Sequence, residues 1–192
     1  WDAYALEAQN VRFGPLEAPV ELAPEWRGAL PPSVEPVVAA RRGVDLAPPD
    51  LSVDADKLRL LAYLWPDQPE RLTRTRATMA LPPAIVDTGH AADWIEAQLA
   101  LPAPAGTRMI FHTVAWQYFP APAQHRARLA IEAAGDAATP AQPLVWFAME
   151  ADGTDAPGAR LTLRCWPGNE THAAGRACFH GRWVDWALPN PN

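Results

Sequence analysis

Residues able to do chemistry gather at three places in this sequence. The densest is Arg108–Phe119, RMIFHTVAWQYF, where the apolar run Met109–Phe111 gives way to His112, Thr113, Trp116, Gln117 and Tyr118. An imidazole titrates at about 6.5, which suits a general base at neutral pH. Gln117 and Tyr118 carry groups that hydrogen-bond a substrate, and Trp116 carries a face on which one stacks. His112, Gln117 and Tyr118 are therefore the candidate catalytic set. The other two places are Asp45, in GVDLAPPD, and Asp87, in IVDTG. A carboxylate at a strand end accepts two hydrogen bonds from vicinal ribose hydroxyls, which suits Asp45, and Asp87 suits a donor such as an adenine amino group.

Each of these residues has an ordinary structural alternative. Asp before a Pro-rich or Gly-containing turn is a favoured turn residue without any ligand. A lone His in a strand is commonly a hydrogen-bonded core residue, and Trp116 also suits packing under a following helix. Trp65-Pro66-Asp67-Gln68 sits at a helix break, where Trp65 and Asp67 suit a substrate-binding wall or only a capped kink. Arg71, Arg74 and Arg76 put guanidiniums near one helical face, attractive for an anion but equally a solvated face. Cys165, His172, Cys178 and His180 lie close in sequence without CxxC or HxxxH spacing, so no metal site is expected. The sequence has no GxSxG elbow, P-loop or intact GxGxxG, and a hydrolase built on His112 lacks an identifiable nucleophile.

These groups need a scaffold, and the composition supplies one. The 192 residues are 49% hydrophobic and 20% charged, which fits a folded chain with a real core. The 22 prolines imply stiff turns and short elements. A net charge of −6 disfavours nucleic acid and anionic membranes as partners. No apolar run approaches the roughly 18 residues of a spanning helix, no signal peptide is visible, and two cysteines are too few for a disulfide framework. A cytoplasmic protein with a small-molecule ligand is expected. The oligomeric state is left open.

Periodicity then gives the elements. WDAYALEAQ reads as the tail of a helix, which suggests a piece of a longer protein. Val11–Phe13 and Pro19–Trp26 read as a short hairpin, and Val37–Leu46 as a strand. Helices are expected at Asp56–Trp65, with Leu58, Leu61, Ala62 and Trp65 at helical spacing, and at Glu70–Leu81, started by Pro69. A strand at Ala84–Val86, a helix at Ala91–Leu99, a strand at Arg108–Val114 and a helix at Gln124–Ala134 follow. Leu144–Met149, Arg160–Cys165 and Arg176–Trp186 read as closing strands, with Cys165 and Cys178 facing one another across the last hairpin. Alternating strands and helices predict one α/β domain over 1–192, a mostly parallel sheet covered on both faces with an antiparallel C-terminal pair. Asp45, Asp87 and the His112 cluster would then share the C-terminal rim of that sheet.

VVAARRGVDLAPPD, DKLRLLAYLWPDQPERLTR, IVDTGHAADWIEAQL, FHTVAWQYFP and FHGRWVDW together resemble one bacterial family of uncharacterised proteins, domain-of-unknown-function family 2332. The resemblance runs from about Val37 to Trp186. That family's layout is in turn similar to the Rossmann-like three-layer sandwich of S-adenosylmethionine-dependent methyltransferases. The resemblance implies that Asp45 binds the ribose of S-adenosylmethionine, that Asp87 lies near its adenine, and that the segment after Phe111 lies near the methyl group. It also implies a first strand and Gly-containing loop upstream of Trp1. A methyltransferase-like protein acting on a small molecule is the expectation, with a non-enzymatic binding or scaffold module as the alternative.

Overall fold

The structure is a computed structural model and describes residues 4–34, 36–103 and 105–189. It forms two compact units, Trp1–Ala23 with Ser33–His90, and Pro24–Pro32 with Ala91–Asn192.

The first unit opens with a hairpin rather than a helix tail. Strand β1, Tyr4–Ala8, pairs antiparallel with β2, Val11–Phe13, with Ala8 opposite Val11. The two connecting residues, Gln9 and Asn10, have φ of 49° and 63°. Two consecutive left-handed residues make the turn whose twist matches a tight hairpin. That turn overrides the helix-forming residues of YALEA. Val20–Leu22, β3, joins β1 on its other side in parallel. Ala5, Ala8, Phe13 and Val20 are buried between them.

The same unit contains the parallel pair β5, Arg42–Asp45, and β6, Ile85–Thr88, as a separate two-stranded sheet. Helices α1, Asp54–Ala62, and α2, Pro69–Met79, lie between them in sequence. Proline at the first position of α2 is the expected start, since its missing N–H would be unpaired there anyway. The expected apolar face of α1 stays exposed at Leu58.

The second unit carries the larger sheet. Its strands are β4, Glu25–Gly28; β7, Arg108–Thr113; β8, Leu144–Glu150; β9, Ala159–Trp166; β10, Glu170–Ala177; and β11, Trp183–Trp186. They are ordered β4-β11-β10-β9-β8-β7. The β11–β10, β10–β9 and β9–β8 pairs are antiparallel, and only the outer pairs, β4–β11 and β8–β7, are parallel.

The expected Rossmann-like, mostly parallel sandwich is therefore corrected. Among the described residues there are eleven strands in three sheets and four α-helices. An antiparallel meander from β8 to β11 forms the body of the largest sheet. The run Arg176–Trp186 is not one strand but parts of β10 and β11, separated by the turn around His180. The thiols do not face each other either. Cys165 is opposite Glu170, whereas Cys178 follows Ala177, at the other end of the same strand pair.

Helices α3, Ala91–Ala100, and α4, Ala121–Asp136, cover one face of this sheet. Ile131 of α4 packs with Leu144 and Trp166, joined by Ile95, Leu99, Ile110 and Trp146. A second cluster, Leu161, Ala174 and Ala177 with Phe147, Met149 and Val184, lies on the opposite face by strand alternation. At the outer edge, β7 alternates too. Ile110 and His112 turn towards the helices, while Met109 and Phe111 are 54% and 68% exposed.

A glycine in the last turn of α4 shows how close this packing is. A Cβ placed on Gly135 would lie 2.4 Å from the ring of Trp166, itself almost fully buried. Gly135→Ala would gain about 1 kcal/mol of helix propensity, but forcing a methyl into a filled core costs roughly 1–3 kcal/mol. We expect net destabilisation, read as a lower urea midpoint. A midpoint that rises would show that the Trp166 contact is looser than described.

Candidate functional site

His112 lies on the penultimate position of β7, and Glu150 ends β8 beside it. Parallel pairing puts His112 level with Ala148, so Trp146, Ala148 and Glu150 share its face. The indole N–H of Trp146 donates to His112 Nε2 at 3.0 Å. Indole is a donor only, so the imidazole proton sits on Nδ1 and is donated to Glu150 Oε1 at 2.7 Å. The same oxygen accepts the backbone N–H groups of Ala115 and Trp116, each at 3.0 Å.

Three donors thus converge on one carboxylate oxygen that is largely shielded from water, with the side chain 17% exposed. Burial pushes the Glu150 carboxyl up, but the two backbone N–H groups and the His112 ring outweigh it and hold the group below its ordinary value.

The chain reaches this arrangement through a strained corner. Val114 donates its N–H to Met149 O at 2.8 Å and then turns with φ of 49°, a left-handed conformation that a β-branched residue seldom adopts. The next residues form a short 3-10 turn, Trp116–Tyr118. Trp116 stacks on the His112 ring with centroids 5.1 Å apart and lies 5.4 Å from Trp146 and 5.6 Å from Phe119. From α4, Gln124 donates to the carbonyls of Trp116 and Phe119. Arg128 sits over the Trp116 ring, 5.9 Å from its centroid. Trp116 therefore packs beneath α4, which was the alternative to substrate stacking.

Gln117 and Tyr118 are what this scaffold presents outward. Both are exposed, Tyr118 by 74%. His112 is held differently, since both its ring nitrogens are hydrogen-bonded within the protein. Proton abstraction by Nε2 would first have to break the Trp146 bond.

Asp45 and Asp87 lie in the first unit, on its two-stranded sheet, where Val44 pairs with Asp87 and Asp45 with Thr88. They are neighbours at the C-terminal ends of parallel strands, but that sheet does not contain β7. The single rim expected to carry all three groups is corrected accordingly. Asp45 Oδ1 accepts the Ala47 N–H at 2.8 Å, the behaviour of a turn residue. Asp87 accepts Arg42 Nε at 2.6 Å and Nη2 at 2.9 Å, a two-pronged pair. Trp65 and Asp67 occupy the exposed turn between α1 and α2. Arg71 of α2 donates to Gln68 Oε1 at 3.0 Å.

Glu150 and Trp146 were missed in the sequence because LVWFAM reads only as a core strand. The available signal was a lone acid closing an apolar run, at the end of the strand that follows α4. Among the described residues, no three His, Cys, Asp or Glu come together as a metal site. No helix among them is long and apolar enough to cross a membrane.

A family model described as an uncharacterised protein conserved in bacteria (DUF2332) matches residues 1–186. The chain belongs to that family. The match extends the resemblance of Val37–Trp186 back to the first residue. Searches of curated proteins and of solved structures give no match, and the likeness to methyltransferases has no support from these comparisons.

The Glu150 contacts give a dependence on pH. Folding lowers its pKa, so its stabilisation is fully present above the ordinary glutamate value of about 4.3 and is lost as the pH falls through the lower folded value. Acid should therefore release the 114–118 corner. Glu150→Ala leaves three donors without their acceptor and should cost roughly 1–3 kcal/mol. Near-ultraviolet circular dichroism from Trp116 and Trp146, followed from pH 7 downward, should show an acid transition that Glu150→Ala lacks. The same acid transition in both proteins would remove Glu150 from the account.

Proposed function

We propose that this protein is a small-molecule binding module, not a catalyst, with the 115–119 turn at the C-terminal end of β7 as its recognition surface. The observation that carries the reading is the His112–Glu150–Trp146 network. It commits both imidazole nitrogens to holding the turn and leaves Gln117 and Tyr118 exposed on a preorganised backbone. A primary amide and a phenol side by side suit a polar ligand with a flat or apolar part. Ligand-observed NMR with a set of polar small molecules tests this. Hits bound by the wild type should be lost in a Gln117→Ala/Tyr118→Ala variant. No hits, or hits that survive both changes, would overturn it.

A second reading is supported by the first unit. Asp45 and Asp87 stand at the tips of adjacent parallel strands, the arrangement that suits a nucleoside with its vicinal diol on Asp45. S-adenosylmethionine is the ligand this reading names, and a methyltransferase-like role the activity it would serve. Calorimetry with S-adenosylmethionine and S-adenosylhomocysteine should give saturable heat that Asp45→Ala weakens about tenfold or more, or about 1.4 kcal/mol. An absence of heat with the wild type would end this reading and leave the first untouched.

A further inference from the structure

The second unit has a cavity of about 180 Å³ at the opposite end of the β7–β8 pair from His112. Its walls include Leu99 from the end of α3, Ala134 in the last turn of α4, Ala138 just beyond that helix, and Leu144 at the start of β8. Arg108, the first residue of β7, is the charged residue among its lining side chains.

The guanidinium of Arg108 donates to the carbonyls of Gln98, at 3.4 Å, and Pro102, at 3.2 Å. These bonds satisfy chain ends near the α3 terminus, and they engage two of the five N–H donors an arginine carries. Among the described residues no carboxylate pairs with Arg108, whereas in the same unit Arg126 pairs with Asp93 and Glu96, and Arg164 with Glu132. A partly buried cation beside apolar walls, with donors to spare, is complementary to an anion carrying an alkyl tail.

Size narrows the class further. An enclosed apolar cavity of about 150 Å³ takes a benzene-sized molecule, and this slightly larger pocket, partly open to solvent and lined also by Gln142, has room for a chain of about four to six carbons. We propose that it binds a short aliphatic monocarboxylate, the tail among Leu99, Ala134, Ala138 and Leu144 and the carboxylate on Arg108. The site is independent of the 115–119 surface and of the β5–β6 tips.

Calorimetry on the full chain with pentanoate, and with pentan-1-ol as the uncharged comparison, tests the assignment. Pentanoate should bind saturably with Kd on the order of 1 mM or tighter, and the alcohol about tenfold or more weaker. Arg108→Gln should weaken pentanoate by a similar factor, and Ala134→Phe, which fills the cavity, should abolish its binding. No binding to the wild type, equal affinity for acid and alcohol, or unchanged affinity after Ala134→Phe would each overturn the proposal. The acid–alcohol comparison uses only the native protein, so it decides the matter even where a variant does not fold.

Discussion

A carboxylate oxygen shielded from water is costly without donors, and the way Glu150 Oε1 finds three of them shapes the end of the second unit's parallel strand pair. Oε1 draws in the His112 ring and the N–H groups of Ala115 and Trp116, so the chain cannot run straight on from β7. It has to turn at Val114, in a conformation that costs a β-branched residue about 1–3 kcal/mol. Such strain persists only where surrounding contacts over-determine the backbone. Here those contacts are the Glu150 bonds, the Met149 carbonyl, the Trp116–His112 stack and the Gln124 amide. Removing the central acceptor would leave the strain opposed by the other three contacts alone.

The corner is also tied to the core through Trp146. One edge of that indole donates to His112, while its ring joins the cluster around Ile131, Leu144 and Trp166. The surface presented at Gln117 and Tyr118 thus rests on the same layer that seats α4 against the sheet. Gly135 marks how little slack that layer has, because the Trp166 ring occupies the space a side chain there would need.

Much of the local structure was legible in the residues. The spacing of Leu58, Leu61 and Ala62, proline at the start of α2, and the apolar bodies of β7 and β8 all placed elements within a few positions of where they form. Other elements were not legible, for physical reasons. Tyr4–Ala8 is made of residues at ease in a helix, and its strand state comes from the Gln9–Asn10 turn and the partners on either side. In Val37–Leu46 only Arg42–Asp45 becomes strand, because a β ladder extends only as far as its partner, and β6 offers four residues. Strand direction is the deeper gap. A periodicity of two says that a segment is extended, not whether its neighbour runs with or against it. The antiparallel meander, and with it the separation of Asp45 and Asp87 from His112 onto different sheets, could not be deduced from pattern alone. At the site, His112 was visible as an isolated polar group. Its partner Glu150 lies 38 positions away, and nothing local links the two.

The bare flank of β7 has a consequence for how this protein behaves in concentrated solution. Its outer backbone amides and carbonyls have no neighbouring strand among the described residues, and Met109 and Phe111 stand open on one face. Neither a proline nor a bulge interrupts Met109–Thr113 to discourage annexation by another chain. The net charge of −6 makes copies of the molecule repel one another, and salt, which screens that repulsion, favours the approach of such edges.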